Sequence, residues 1–139
     1  MVHALDEIHR TLKPGGVLLD LRPIESRWPV EVESADSVTV IGRLVDLPIA
    51  IEDDEAASQA VHEAEMRGWF VNGREQEFPF FYYWDTPSEM KEFVDTDWEG
   101  FEKLEDAVFE AVKSAWAVAN ADARVRIRVK MLITRWEKR

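Results

Sequence analysis

The sequence predicts an α/β domain, α+β in appearance, with a small mixed sheet packed by three to four helices. Segments with apolar residues at helical spacing are interspersed with short runs that are typical of strands, either continuously apolar or apolar at every second residue. The chain has 139 residues, is 46% hydrophobic and includes six Trp and seven Phe, enough apolar side chain for one compact core. We therefore expect a single domain over residues 1–139.

The first segment indicates a helix, a turn and a strand. Apolar side chains recur at three- and four-residue spacing over residues 2–12, which predicts an amphipathic helix. Pro14 and the pair Gly15-Gly16 predict a tight turn, because Pro cannot continue a helix and Gly accepts a left-handed backbone. Residues 17–21 form a nearly continuous apolar run, which is typical of a strand covered on both faces.

The middle of the chain predicts a hairpin, a helix and an aromatic strand. Residues 28–47 favour two strands joined by a polar turn at 34–37. Asp53 is the expected N-cap of the next helix, and Gly68 is its expected stop. Residues 74–85 predict an aromatic strand, which Pro79 favours at a sheet edge because it cannot donate to a central ladder.

The last third of the chain predicts two helices and a strand. Residues 86–89, Thr-Pro-Ser-Glu, form a capping box with Pro at the first helical position, which predicts a short helix. A longer helix is expected over roughly 97–119. Residues 124–134 then alternate between apolar and basic side chains, which predicts a strand with one face in the core.

The charge pattern bears on the partners. The formal net charge of −11 argues against general nucleic-acid binding, because phosphate backbones attract basic surfaces. Residues 52–110 are strongly acidic, whereas residues 124–139 are basic. We expect these surfaces to lie against each other within the fold or across a dimer, and we expect no nucleic-acid partner.

Other classes of site and location find little support in the sequence. No apolar run approaches the roughly 20 residues of a membrane helix, and the start carries no charged-then-apolar leader pattern, so we expect a cytoplasmic protein without a membrane partner. The three His residues lack the spacing of a helical metal site, and the chain has no Cys. We predict no metal ligand, no catalytic residue and no cofactor-binding residue.

Two segments carry a family resemblance. Residues 5–22 hold a Leu-Lys-Pro-Gly-Gly turn between an Ile-His-Arg helix and an apolar strand, and residues 83–90 read Tyr-Trp-Asp-Thr-Pro-Ser-Glu-Met. Together with the order of the elements, they resemble the C-terminal half of class I S-adenosylmethionine-dependent methyltransferases. The resemblance implies a truncated Rossmann-like half. Its last strand is expected to run antiparallel, inserted between the family's fifth and sixth strands.

The same resemblance limits the expected activity. The sequence has no Gly-x-Gly-x-Gly segment between a strand and a helix, so we expect S-adenosylmethionine only if a missing N-terminal half completes the fold. The first expectation is a methyltransferase-like remnant without methyl transfer of its own, acting as a homodimeric interaction or regulatory module. The alternatives are a C-terminal fragment of a genuine methyltransferase acting on a small molecule, or a small-ligand-binding domain that uses the aromatic strand.

Five residues are candidate ligand contacts. Asp20 and Arg22 follow the first strand and would form a remnant substrate wall, or else a strand end held by a local ion pair. Phe80, Tyr82 and Trp84 alternate onto one face and would line a pocket for a small apolar ligand, or else belong to a core and interface. An exposed edge left by missing strands predicts a homodimer, near residues 17–21 or the 30–45 hairpin.

Overall fold

The computed structural model describes residues 2–139, within which the chain forms four helices and seven strands. In chain order these are α1 (Val2–Thr11), β1 (Val17–Pro23), β2 (Pro29–Glu33), β3 (Val38–Arg43), β4 (Val45–Asp46), α2 (Pro48–Met66), β5 (Phe70–Trp84), α3 (Pro87–Asp97), β6 (Glu102–Lys103), α4 (Asp106–Ala117) and β7 (Arg124–Lys138).

Five strands form one open sheet and two form a small one. The larger sheet has the order β1-β7-β2-β3, with β5 also paired to β7, whereas β4 pairs with β6. The pairs β1–β7, β2–β7, β2–β3 and β4–β6 are antiparallel. The α/β class is therefore confirmed, with an antiparallel sheet. The parallel pairing that a mixed sheet needs does not occur among these four pairs.

The contacts divide the described residues into two compact units. Unit 1 comprises residues 2–24, 51–78 and 131–139, and unit 2 comprises residues 25–50 and 79–130. Strands β5 and β7 contribute residues to both units. The single domain over residues 1–139 stays a prediction, and residue 1 lies outside the described residues.

The opening helix and its turn are confirmed in unit 1. Gly15 has φ 74°, the left-handed value that the sequence predicted for the turn, and Gly16 N donates to Lys13 O at 2.8 Å. Lys138 Nζ donates to His9 O at 2.5 Å and to Leu12 O at 2.7 Å. This ammonium group therefore satisfies carbonyl groups at the C-terminus of α1.

The core of unit 1 lies on one face of β1 only. Leu18 packs against a cluster built on Ala64, Phe70 and Trp136. The alternate side chains are exposed, with Leu19 60% and Leu21 56% accessible, so the prediction of a strand covered on both faces is wrong. Because β1 lies at the end of the strand order, its apolar run marks an uncovered edge rather than a central strand.

Helix α2 begins earlier in the chain than the sequence predicted. Pro48 occupies its first position and Asp53 lies inside it, so the expected Asp53 cap is wrong. Pro is favoured at the first turn because it has no N–H that would need a partner. The stop at Gly68 is confirmed: this residue has φ 70°, and Trp69 N donates to Ala64 O at 3.0 Å.

The predicted hairpin is present in unit 2. Ser34 N donates to Ser37 O at 2.8 Å across the turn between β2 and β3. Val30 and Val32 on β2 lie opposite Ile127 and Val125 on β7, and all four are buried. Helix α4 packs against β2 and β3, and α3 packs against α4, so these valines lie in the core of the unit.

The two C-terminal helices are confirmed in part. At the start of α3, Glu89 N donates to Thr86 Oγ1 at 3.3 Å and Thr86 N donates to Glu89 Oε2 at 3.0 Å, which is the predicted capping box. The longer helix spans only Asp106–Ala117, so its predicted start near residue 97 is wrong. Gly100 has φ 82°, a value that interrupts a right-handed helix, and residues 102–103 form β6 instead.

Gly42 is required by the close approach of β3 to α4. A Cβ atom at this position would lie 2.7 Å from Val108 Cγ1. We predict that Gly42→Ala lowers the free energy of unfolding by about 1–3 kcal/mol, because an overpacked core must shift to make room. Urea unfolding of Gly42→Ala, Val108→Ala and the double variant checks this cause. The Gly42→Ala change should cost less in the Val108→Ala background, and an equal cost in both would contradict the clash.

Candidate ligand-binding cavity

Unit 1 contains a cavity of about 280 Å³ between α1, β1 and α2. Its walls are mainly apolar, and the residues that define its shape include Ala4, Leu18, Ala57, Val61, Phe70 and Trp136. Small-molecule pockets in proteins measure roughly 300–1,000 Å³. The cavity is therefore near the lower end of that range, and its size suits a ligand of one or two rings.

Asp20 and Arg22 supply charge at the wall of this cavity. They are two residues apart on β1 and so lie on one face of the strand. Asp20 Oδ2 and Arg22 Nε lie 3.4 Å apart, and the two side chains are 21% and 25% exposed. Arg22 Nη1 donates to Ser58 Oγ on α2 at 3.2 Å, which holds the guanidinium over the helix. The local ion pair that the sequence suggested is thus present, and it lies beside a cavity.

Three buried polar atoms around the cavity have no hydrogen-bond partner. They are Asp20 Oδ2, Arg22 Nε and Trp136 Nε1. The first two attract each other as charges, but their geometry is not that of a hydrogen bond. A buried donor or acceptor left unsatisfied costs about 1–3 kcal/mol, so such groups are few in folded proteins and each calls for a reason. A bound ligand that forms hydrogen bonds with these atoms would account for them.

Trp136 was not among the candidate residues from the sequence. The final strand was predicted to end near residue 134, whereas β7 continues to Lys138. The burial phase also changes along this strand. The odd-numbered Val125, Ile127 and Val129 are buried in unit 2, whereas the even-numbered Thr134 and Trp136 are buried in unit 1. A continuous alternation cannot predict this change of phase.

The aromatic candidates lie in unit 2 and form a packed cluster. The rings of Phe80 and Tyr82 meet edge to face at 5.1 Å, and Tyr82 stacks on Trp84 at 6.2 Å. Phe93 of α3 lies 5.3 Å from Trp84, and Trp98 lies 5.0 Å from Tyr82. These separations are typical of aromatic packing, which occupies the ring surfaces that a ligand would use. A ligand pocket at Phe80, Tyr82 and Trp84 stays a prediction.

The basic face of β7 is neutralised within unit 2. Glu31 is 2% exposed and accepts from Arg126 Nε at 2.5 Å and from Arg128 Nε at 3.0 Å. Arg126 Nη1 also donates to Glu33 Oε1 at 2.7 Å, and Lys130 lies 3.6 Å from Glu25. In these contacts the carboxylates belong to Glu31 and Glu33 of β2 and to Glu25 of the segment before it.

The setting of Arg126 affects its protonation. Burial lowers the pKa of Arg126, but hydrogen bonds to Tyr83 and Glu31 and the charges of Glu31 and Glu33 outweigh this effect and raise the pKa above its usual value. A raised pKa contributes stability that is complete below the pKa of the unfolded state and is lost as the pH rises through the folded value. The guanidinium therefore keeps its charge until strongly alkaline pH.

The aromatic side chains on the opposite face of β5 extend this charged cluster. Arg126 Cζ lies 4.4 Å from the ring centre of Phe81, and Arg124 Cζ lies 4.3 Å from that of Tyr83. Cation–π contacts of this kind contribute about 0.5–1 kcal/mol at exposed sites. The predicted alternation of the aromatic strand is therefore confirmed, with one face against other rings and the other against arginines.

The comparisons with known proteins give no match. No protein-family model, no curated protein and no solved structure matches this chain. Among residues 2–139, no group of three or more His, Asp or Glu side chains has the arrangement of a metal site. None of the helices in that range combines the length and the apolar character needed to cross a membrane.

The buried carboxylate allows a matched test of the charged cluster. We predict that Glu31→Ala lowers the free energy of unfolding by about 3 kcal/mol, because it leaves two guanidinium groups short of a partner. Glu25→Ala is the control: its side chain is 46% exposed and its ion pair with Lys130 is worth less than about 1 kcal/mol. Urea unfolding measures both, and equal losses would contradict the role of Glu31.

Proposed function

We propose that this chain is a methyltransferase-like module that binds a small, largely apolar ligand in the cavity of unit 1. The observation that carries the proposal is the set of three buried polar atoms on Asp20, Arg22 and Trp136 that form no hydrogen bond and belong to residues lining an apolar cavity. A few convergent polar groups in an apolar cavity are the usual composition of a ligand site.

The strand order supports the methyltransferase-like part of the proposal. The resemblance implies that the last strand runs antiparallel between two earlier ones. Strand β7 pairs antiparallel with β1, the strand that follows the Lys-Pro-Gly-Gly turn. It also pairs with β5, and Arg139 N donates to Trp69 O while Arg124 lies over Tyr83, so β5 runs opposite to β7. A fold-level likeness carries no activity by itself, because function depends on the site.

The proposal assigns binding rather than methyl transfer to this chain. The sequence lacks the Gly-x-Gly-x-Gly segment with which methyltransferases hold their cofactor, and S-adenosylmethionine enters the proposal only with a completing half. Apolar walls and a single ion pair provide a place to bind a ligand, and no residue here is assigned a chemical step. A cytoplasmic location stays part of the proposal.

Filling the cavity should weaken ligand binding. We predict that indole shifts the Trp136 indole N–H resonance of ¹⁵N-labelled protein saturably, because both lie at the same cavity. Ala57→Trp, which places a large ring in the wall, should weaken the binding at least tenfold. Ala56→Trp is the matched control, because Ala56 is exposed on the same helix. The proposal fails if neither indole nor a substituted indole moves the Trp136 resonance, or if the two variants weaken binding equally.

The edge of β1 favours a second function, self-association. Lys138 N donates to Gly16 O at 2.8 Å, so the alternation of an antiparallel ladder directs the backbone groups of Val17, Leu19 and Leu21 away from β7. The side chains of these three residues are also exposed. Pairing of β1 with the same strand of a second copy about Leu19 would bring like apolar side chains together. We propose a homodimer at this edge, not at the 30–45 hairpin.

A charge at the centre of β1 should prevent this association. We predict that the unchanged protein scatters light as a dimer at tens of micromolar and that Leu19→Lys scatters as a 16.1 kDa monomer, because lysine deters edge pairing. Val40→Lys is the matched control: Val40 is 51% exposed on β3, the strand at the other end of the order, and this variant should stay dimeric. A monomeric unchanged protein, or a monomeric Val40→Lys, would overturn the β1 interface.

A further inference from the structure

We propose that the ligand of the unit 1 cavity is electrically neutral and carries a hydrogen-bond acceptor beside a hydrogen-bond donor, as a carboxamide or the edge of a nitrogen heterocycle does. This inference rests on the proposed function and names the chemical class of its ligand. It follows from the charge balance at Asp20 and Arg22 and from the hydrogen bonds that these side chains lack.

The charge balance at the wall favours a neutral ligand. The carboxylate of Asp20 and the guanidinium of Arg22 lie 3.4 Å apart and cancel each other. An anionic ligand would be attracted by Arg22 but repelled by Asp20 at nearly the same distance. A cationic ligand would be attracted by Asp20 and repelled by Arg22. Either ion would also lose its hydration in an apolar cavity, a cost that the balanced pair does not offset.

The unmet hydrogen bonds favour a paired donor and acceptor. Arg22 Nε is a donor without an acceptor, and Asp20 Oδ2 is an acceptor without a donor. A carboxamide presents a C=O and an N–H on one carbon, so a single head group offers both partners side by side. Hydrogen bonds to charged groups are stronger than those between neutral groups, so the pair of bonds would outweigh the loss of the head group's hydration.

Trp136 adds a third group of the same chemistry. Its indole N–H is a donor only, it is buried, and it has no partner. A second acceptor on the ligand, such as a ring nitrogen or a carbonyl, would accept a hydrogen bond from this indole N–H. The apolar walls from Leu18, Val61 and Phe70 suit a planar ring as the body of the ligand.

Three ligands with one shared ring test this inference. Indole-3-acetamide, indole-3-acetate and tryptamine carry a neutral, an anionic and a cationic head group on the same indole. Titration of each into ¹⁵N-labelled protein, followed at the Trp136 indole N–H, gives three dissociation constants. The acetamide is expected to bind at least tenfold more tightly than either charged analogue.

Charge-removing variants sharpen the test without changing side-chain size greatly. In Asp20→Asn the charge of the Arg22 guanidinium is no longer balanced. The affinity for indole-3-acetate relative to that for indole-3-acetamide should therefore rise at least tenfold. In Arg22→Gln the preference should move to tryptamine. A merely structural ion pair would alter stability in both variants but would not exchange the preferred head group.

The outcomes separate this inference from the proposed function. If indole binds but the unchanged protein prefers the acetate or tryptamine, or binds the three ligands equally, the neutral class is overturned and the binding function stands. If neither indole nor any of its three derivatives moves the Trp136 resonance, both are overturned. A tighter acetamide whose advantage survives in both variants would overturn the role of Asp20 and Arg22.

Discussion

The pairing of strand β7 is the constraint on which the rest of the structure depends. This 15-residue strand supplies the ladder partner of β1, of β2 and of β5, so most of the large sheet is joined through its backbone. It also supplies core residues to each unit, Val125, Ile127 and Val129 to unit 2 and Trp136 to unit 1. The cavity therefore depends on a strand formed by the last residues of the chain.

Signals confined to a few neighbouring residues were the ones that the sequence predicted well. The capping box at Thr86 and Glu89, the left-handed Gly15 and the turn from Ser34 to Ser37 are decided by backbone sterics and by hydrogen bonds within four residues. Their geometry does not depend on the rest of the chain. The last strand was also predictable, because its alternation of apolar and basic residues leaves one choice of core face in unit 2. Its antiparallel direction was expected only from the family resemblance.

The errors arose where distant residues decide the structure. An apolar run such as residues 17–21 fits a buried central strand and an exposed edge equally well, and only the strand order distinguishes them. Gly100 lies within an apolar pattern of helical spacing, but residues 102–103 pair with β4, so the helix begins only after them. At the site, Asp20 and Arg22 could be predicted as polar residues near the end of the apolar run 17–21, although both lie within β1. Trp136 could not be predicted, because its burial follows a change of phase along β7.

The shared carboxylate of Glu31 has a consequence for how this sequence can change over evolutionary time. Arg126 and Arg128 on β7 both form ion pairs with Glu31 on β2, and Arg126 forms a second ion pair with Glu33. These positions cannot be substituted independently, because replacing one residue leaves its partner with an unpaired charge at a largely buried location. We expect them to be exchanged as a set, for instance for apolar residues in one lineage, so that covariation among relatives, once such sequences are aligned, would reveal the β2–β7 register without a structure.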